Sequence, residues 1–245
     1  MLCIYNEHID PYFNLAAEEY LLKNFSDNIF MLWQNEPSVI MGKHQNVKAE
    51  IDLDFAKANN LKIARRFSGG GTVFHDLGNL NLTFIETSNN INFDSFTNKM
   101  VELLSQAGIR ATSDERRAIN IDGLKISGSA QCIHKDRAMY HATLLFSSNL
   151  AALTQTLEGD ESAGNGSKIY VKSVKSPVTN IIEHIATPVD IDKFKQYIMN
   201  YFLSSDDDNI LYEFDKRDIT AIEKLRQEKY IRPEWNFEAR LTKTG

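Results

Sequence analysis

The sequence has little cysteine: Cys3 and Cys132 stand alone among 245 residues, with no paired spacing and no Cys-x-x-Cys. A disulfide framework is thereby excluded and no zinc site is indicated. No apolar run approaches about 18 residues, and the N-terminus has no basic region leading into an apolar one, so neither a membrane span nor a secretory leader is read. The expectation is a cytoplasmic protein with no membrane partner. Excess basic charge is also missing, since 27 Lys and Arg against 33 Asp and Glu give a net charge of −6, which argues against a nucleic-acid partner. There is no internal repeat and no low-complexity tract. What remains, 42% hydrophobic and 24% charged residues, is ordinary for a soluble chain long enough to bury a sizeable core.

One stretch concentrates chemistry: Arg65-Arg66-Phe67-Ser68-Gly69-Gly70-Gly71-Thr72-Val73-Phe74-His75-Asp76. Consecutive glycines allow a sharp turn and let backbone N–H groups come close to a bound group. Successive amides aimed inward form an anion nest, and a nearby guanidinium grips phosphate or carboxylate through paired hydrogen bonds. The run reads either as a phosphate-binding turn or as a structural bulge flanked by solvated arginines. It is not a Walker A loop, since no Gly-Lys-Ser/Thr follows, and it is not Gly-x-Gly-x-x-Gly. Strand alternation lets only one of Arg65 and Arg66 face a ligand. His75 reads as a catalytic or as a hydrogen-bonded structural histidine.

A second stretch, Asp122-Gly123-Leu124-Lys125-Ile126-Ser127-Gly128-Ser129-Ala130-Gln131, carries a two-residue hairpin signal at Asp122-Gly123. In the strand after it, Lys125, Ser127 and Ser129 point one way and Leu124 and Ile126 the other. The lysine either serves an anionic ligand beside two hydroxyls or lies on a solvated sheet face.

Elsewhere, Asp10-Pro11 starts a helix whose Glu18 and Glu19 are expected on a solvated face. Strands are expected at 29–33 and 38–42, a short helix at 54–59, and a hairpin pairing 72–75 with 79–86. Helical spacing recurs over 93–108, 190–203 and 217–230. From Met139 to Phe146 the chain alternates, with His141 and Thr143 opposite Tyr140 and Leu144, so His141 is a pocket wall or a polar residue on a half-buried sheet. Asp160 to Ser167, followed by Lys168, Lys172 and Lys175, reads as a lid or as a surface connector.

Together the motifs Arg66-Phe67-Ser68-Gly69-Gly70-Gly71-Thr72-Val73-Phe74-His75-Asp76 and Lys125-Ile126-Ser127-Gly128-Ser129-Ala130 resemble the lipoate-protein ligase A family. The resemblance extends to Asn14-Leu15-Ala16-Ala17-Glu18-Glu19, Pro37 to Gly42 with Gln45-Asn46, Gly78-Asn79, His141 to Leu145 and Lys172 to Asn180. It implies an α/β (α+β) fold, a mixed β-sheet flanked by helices as in class II aminoacyl-tRNA synthetases and biotin-protein ligases. Residues 1–245 are expected to form one catalytic domain without a C-terminal accessory domain, acting alone or with a separate accessory subunit.

The implied activity is ATP-dependent: lipoate becomes lipoyl-AMP with Mg2+ accompanying the nucleotide, and the lipoyl group then passes to a lysine of a lipoyl carrier domain. The carriers belong to 2-oxoacid dehydrogenase complexes or are the glycine cleavage H protein. By resemblance the adenylate site comprises Arg66, Ser68, Gly69, Gly70, Gly71, Thr72, Val73, Phe74, Lys125, Ser127 and Ala130, with Lys125 catalytic. His75, Asn79 and His141 are expected along the lipoyl pocket. Arg117 and Ala118 stand where many members carry an Asn-Asp pair associated with nucleotide and metal, so no metal ligand is assigned; Asp114 and Asp122 are the neighbouring carboxylates. Two alternatives are an ATP-independent octanoyl or lipoyl transferase working through a Cys132 thioester, and a non-catalytic lipoate-binding homologue.

Overall fold

The computed structural model describes residues 1–160, 163, 171–187 and 189–238. Apart from Asp160 and Ala163, the segment read as a lid or connector, and Lys168 with it, lies outside the described residues. Strands and helices are numbered along the chain. The main sheet has six strands in the order β10 (Ser129–His134), β11 (Arg137–Leu145), β6 (Asn79–Thr87), β2 (Ile29–Trp33), β1 (Leu2–Asn6) and β12 (Ile210–Leu211). From β10 to β2 the neighbours are antiparallel, and β1 runs parallel to both β2 and β12. It is therefore the mixed sheet expected.

Alternation on β11 sorts its side chains: Tyr140, Ala142 and Leu144 enter a core with Phe30, Phe84 and Phe202, roofed by α4 (Phe93–Gln106) and α6 (Ile191–Leu203). His141 and Thr143 face the other way. On that second face lies α1 (Pro11–Asn24), backed by α7 (Lys216–Leu225). Two three-stranded sheets complete the surroundings, one of β4 (Lys62–Arg65), β3 (Ser38–Met41) and β5 (Val73–His75), the other of β7 (Thr112–Ser113), β8 (Ile119–Ile121) and β9 (Leu124–Ser127). Short helices α2 (Val47–Glu50), α3 (Leu53–Ala58), α5 (Leu150–Thr156) and α8 (Pro233–Phe237) fill the periphery. No described helix is long and apolar enough to cross a membrane.

Three expectations are corrected. Residues 72–75 and 79–86 do not form a hairpin, because β5 pairs with β3 and β6 pairs with β2 and β11, in different sheets. The turn between them, closed by the Gly78 N–H on Asp76 Oδ1 at 2.9 Å, carries the chain from one sheet to the other. The strand after Asp122-Gly123 is also not continuous: it breaks at Gly128 and changes sheets, β9 pairing with β8 and β10 with β11. The hairpin itself forms as expected, with positive φ at both Asp122 (50°) and Gly123 (81°). Finally, Glu18 and Glu19 do not lie on a solvated face. They are 0% and 3% exposed, because α1 is covered by the sheet on one side and by α7 and Tyr230 on the other.

Candidate functional site

The glycine loop is shaped from inside by an arginine. Arg66 is 4% exposed and gives its guanidinium protons to the carbonyls of Gly69 (2.7 Å), Gly71 (2.6 Å) and Ile40 (3.0 Å), with Nε also on Ser68 Oγ at 3.1 Å. Burial pulls its pKa to about 10, against the Glu18 carboxylate that favours the charge, so the guanidinium stays cationic at neutral pH. Arg65 turns the opposite way, as alternation requires. Its Nη1 donates to the carbonyls of Gly42 (3.0 Å) and Gln45 (2.8 Å), and its Nη2 donates to that of Asn236 (3.0 Å). Its role is structural. Thr72 joins the loop to the later chain through its N–H on Ser173 Oγ at 2.8 Å.

Helix α1 supplies two buried polar relays that sequence reading placed in solvent or passed over. In the first, Asn6 Nδ2 donates to Asn14 Oδ1 (2.8 Å), Asn14 Nδ2 to Asn35 Oδ1 (2.9 Å), and Asn35 Nδ2 to His75 Nδ1 (3.0 Å). This order fixes the neutral His75 tautomer with its hydrogen on Nε2. In the second, Glu18 Oε1 accepts from Thr83 Oγ1 (2.6 Å) and His141 Nδ1 (2.8 Å), and Thr83 accepts from Trp33 Nε1 (2.9 Å). With Nδ1–H committed to a carboxylate, His141 Nε2 accepts from the Ser68 hydroxyl at 3.0 Å. The glycine loop is thus keyed to α1 through one serine and one histidine.

Burial, then the cation of the neighbouring Arg66, hold His75 down at about 3. Below the ordinary histidine value the unfolded chain takes up a proton that folded His75 refuses, so stability is lost as pH falls through that window. The expected loss at about pH 5 is ~2 kcal/mol relative to neutral pH. Urea denaturation at the two pH values should show it, and His75→Gln, though less stable overall, should lose most of the difference.

Two adjoining cavities open against this scaffold. The first, about 330 Å³, runs from Lys125, Gly128 and Thr143 past Val73 and Ile40 to Leu15, Trp33, Glu18, His75 and Asn81. The second, about 520 Å³, shares Lys125, Thr72, Val73 and Thr143 and continues over Phe74, Leu145, Leu150 and Leu153. Lys125 lies at their junction, with burial and then the Arg116 cation pulling its ammonium below the ordinary lysine value and Asp114 opposing. Its backbone is pinned by its N–H on Pro177 O (2.9 Å) and its carbonyl accepting from Thr179 N (3.1 Å).

The expected residues distribute as follows. Arg66, Gly71, Thr72, Val73, His75, Lys125, Ala130 and His141 line the first cavity, while Thr72, Val73, Phe74, Lys125 and Ser127 line the second. Ser68, Gly69 and Gly70 line neither cavity; Arg66 holds Ser68 Oγ and the Gly69 carbonyl, and Gly70 links Gly69 to Gly71 within the same loop. Asn79 also lines neither, its Nδ2 donating to Asn81 Oδ1 at 3.0 Å. Sequence reading missed Glu18, Asn81 and Arg116 on the wall. Two of them had a signal: Asn81 lies two residues after Asn79 on the same strand face, and Glu18 belongs to the Asn14–Glu19 stretch that carries the resemblance. Asp122 is 86% exposed in its side chain, and Asp114 spends Oδ1 on the N–H groups of Arg116 and Ala118. Cys132 lines neither cavity, and its thiol is pushed up to about 12 by burial and then by Glu18 and Glu19.

Comparison with known proteins shows the family. A family model described as the lipoyl protein ligase A/B catalytic domain matches residues 10–203. Lipoate-protein ligase LplJ of Bacillus subtilis is 34% identical over 97% of this chain and 73% of its own. Lipoate-protein ligase 1 of Staphylococcus aureus is 37% identical over 95% of this chain and 71% of its own. Among solved structures, P. falciparum LipL1 in complex with lipoate superposes with a TM-score of 0.78 at 26% identity, covering 100% of this chain and 74% of that one.

Proposed function

Because the chain belongs to the lipoyl protein ligase A/B catalytic-domain family, we propose that it is a lipoate-protein ligase that makes lipoyl-AMP from lipoate and ATP and passes the lipoyl group to a carrier-domain lysine. The observation carrying this reading is the position of Lys125 at the junction of the two cavities, facing the same space as Gly71, Thr72 and Val73. A carboxylate acylates an amine only after one oxygen becomes a good leaving group. Attack of that oxygen on the α-phosphate of ATP achieves this and releases pyrophosphate. In the second half-reaction the amine attacks the acyl carbon, and AMP leaves with the bonding electron pair.

Each step concentrates negative charge where the cavities meet, and Lys125 is placed to offset it. An anion bound there favours the ammonium, against the burial that disfavours it. The first cavity, with apolar walls from Leu15, Trp33, Ile40 and Val73, suits the acyl chain. The second suits the nucleotide, with Lys172 on its wall. The residues present do not fit a resident magnesium site: Asp114 and Asp122 line neither cavity, Asp114 Oδ1 is taken by backbone N–H groups, and no group of three or more His, Cys, Asp and Glu among the described residues is arranged to hold one. The mechanism therefore assigns the chain's own charge work to Lys125 and Arg116.

The thioester alternative needs an activated thiolate in the cavity, and Cys132 is neither activated nor there. Pyrophosphate exchange into ATP is the test. Exchange should depend on lipoate, need no carrier domain, and be unchanged in Cys132→Ser. A protein that binds lipoate but gives no exchange overturns the ligase reading.

A further inference from the structure

The inner end of the first cavity holds three buried polar atoms with no hydrogen-bond partner among the described residues: Glu18 Oε2, His75 Nε2 and Asn81 Nδ2. Glu18, His75 and Asn81 are 0%, 3% and 2% exposed. They surround one aromatic residue. Trp33 pairs with Asn81 across β2 and β6, its ring centroid lies 6.1 Å from that of His75, and its Nε1 reaches Thr83, which holds Glu18. Asn81 in turn pairs with Thr143, whose N–H donates to the Gly128 carbonyl at the Lys125 end. The wall from β11 to β2 thus covers two strand spacings, about 10 Å. The relays described above leave no freedom to re-pair: His75 Nδ1 is held by Asn35, Glu18 Oε1 by Thr83 and His141, and Asn81 Oδ1 by Asn79.

Resting on the reading that this cavity takes the acyl chain, we infer that its inner end selects chain ends bearing a heteroatom. A medium-chain acid with a hydroxyl or sulfur at its far end is taken in preference to a plain alkyl chain of the same length. An alkyl end strips water from one acceptor and two donors and returns nothing. A terminal hydroxyl donates to Glu18 Oε2 and accepts from Asn81 Nδ2 or His75 Nε2. Sulfur accepts more weakly from the same two donors. A site built to hydrogen-bond one group discriminates against analogues lacking it far better than a greasy pocket rejects an extra methylene.

The test is calorimetric titration of the intact protein with lipoate, octanoate and ω-hydroxyoctanoate. Lipoate and ω-hydroxyoctanoate should each bind about tenfold or more tighter than octanoate. Asn81→Leu, which removes one donor at nearly constant volume, should shrink that ratio by raising octanoate affinity. His75→Phe should move it the same way should the first variant not fold. Octanoate binding as tightly as the other two in the wild-type protein overturns the selectivity alone, with lipoate-dependent exchange still supporting a ligase. Failure of all three acids to bind overturns both.

Discussion

Lys125→Ala is expected to abolish lipoyl-AMP formation while leaving the protein folded, with loss on the order of 10³-fold as for removal of a preorganised charge-stabilising donor. The ammonium sits where the acyl and nucleotide cavities meet, and Gly128 leaves it room: a Cβ on that glycine would lie 3.1 Å from Lys125 Nζ. Stability should not fall. Burial already disfavours the charge, and the backbone of residue 125 is held by Pro177 and Thr179, which truncation does not touch. Single-turnover adenylate formation, with a thermal melt of the same sample, separates the two effects. Near-normal turnover in the variant removes Lys125 from the chemistry.

Gly42→Ala should cripple the site from outside it. A Cβ there would stand 2.0 Å from the Gly70 carbonyl oxygen and 3.3 Å from Arg66 Nη2, and the first of these is backbone that cannot swing aside. The glycine loop must shift, and with it the carbonyls that Arg66 holds. The expected cost is about 1–3 kcal/mol of stability by overpacking. Activity should fall about a hundredfold, because displacement of a positioning loop by an ångström is enough for that. A variant with wild-type exchange kinetics contradicts the view that loop shape governs turnover.

Much of the site was legible because its residues lie in two short runs whose chemistry is local. Glycines next to arginine, and a lysine just past an Asp-Gly turn, announce themselves through backbone rules that hold before tertiary structure is known. What could not be read is what tertiary packing decides. Glu18 and Glu19 resemble any exposed helix pair until the sheet covers Glu18 and the chain from α7 to Tyr230 covers Glu19, whose Oε2 accepts from Tyr230 OH. The segments 72–75 and 79–86 resemble a hairpin in length and turn, but their partners come from β3, β2 and β11. The three loop glycines, alike in sequence, differ in cause. Gly70 adopts φ +89°, Gly71 has Ser173 Oγ 3.0 Å from where a Cβ would be, and Gly69 faces open space.

Arg65 gives the architecture a temporal side. Its N–H donates to Asn236 Oδ1 at 2.9 Å, its carbonyl accepts from Trp235 Nε1 at 2.7 Å, and its guanidinium reaches back to Gly42 and Gln45. The strand that leads into the glycine loop is therefore bolted to a segment made some 170 residues later. On the ribosome the motif emerges early yet must wait, unlatched, until α8 follows it out. A nascent chain stalled before that point would carry every loop residue and still lack the clasp that sets them.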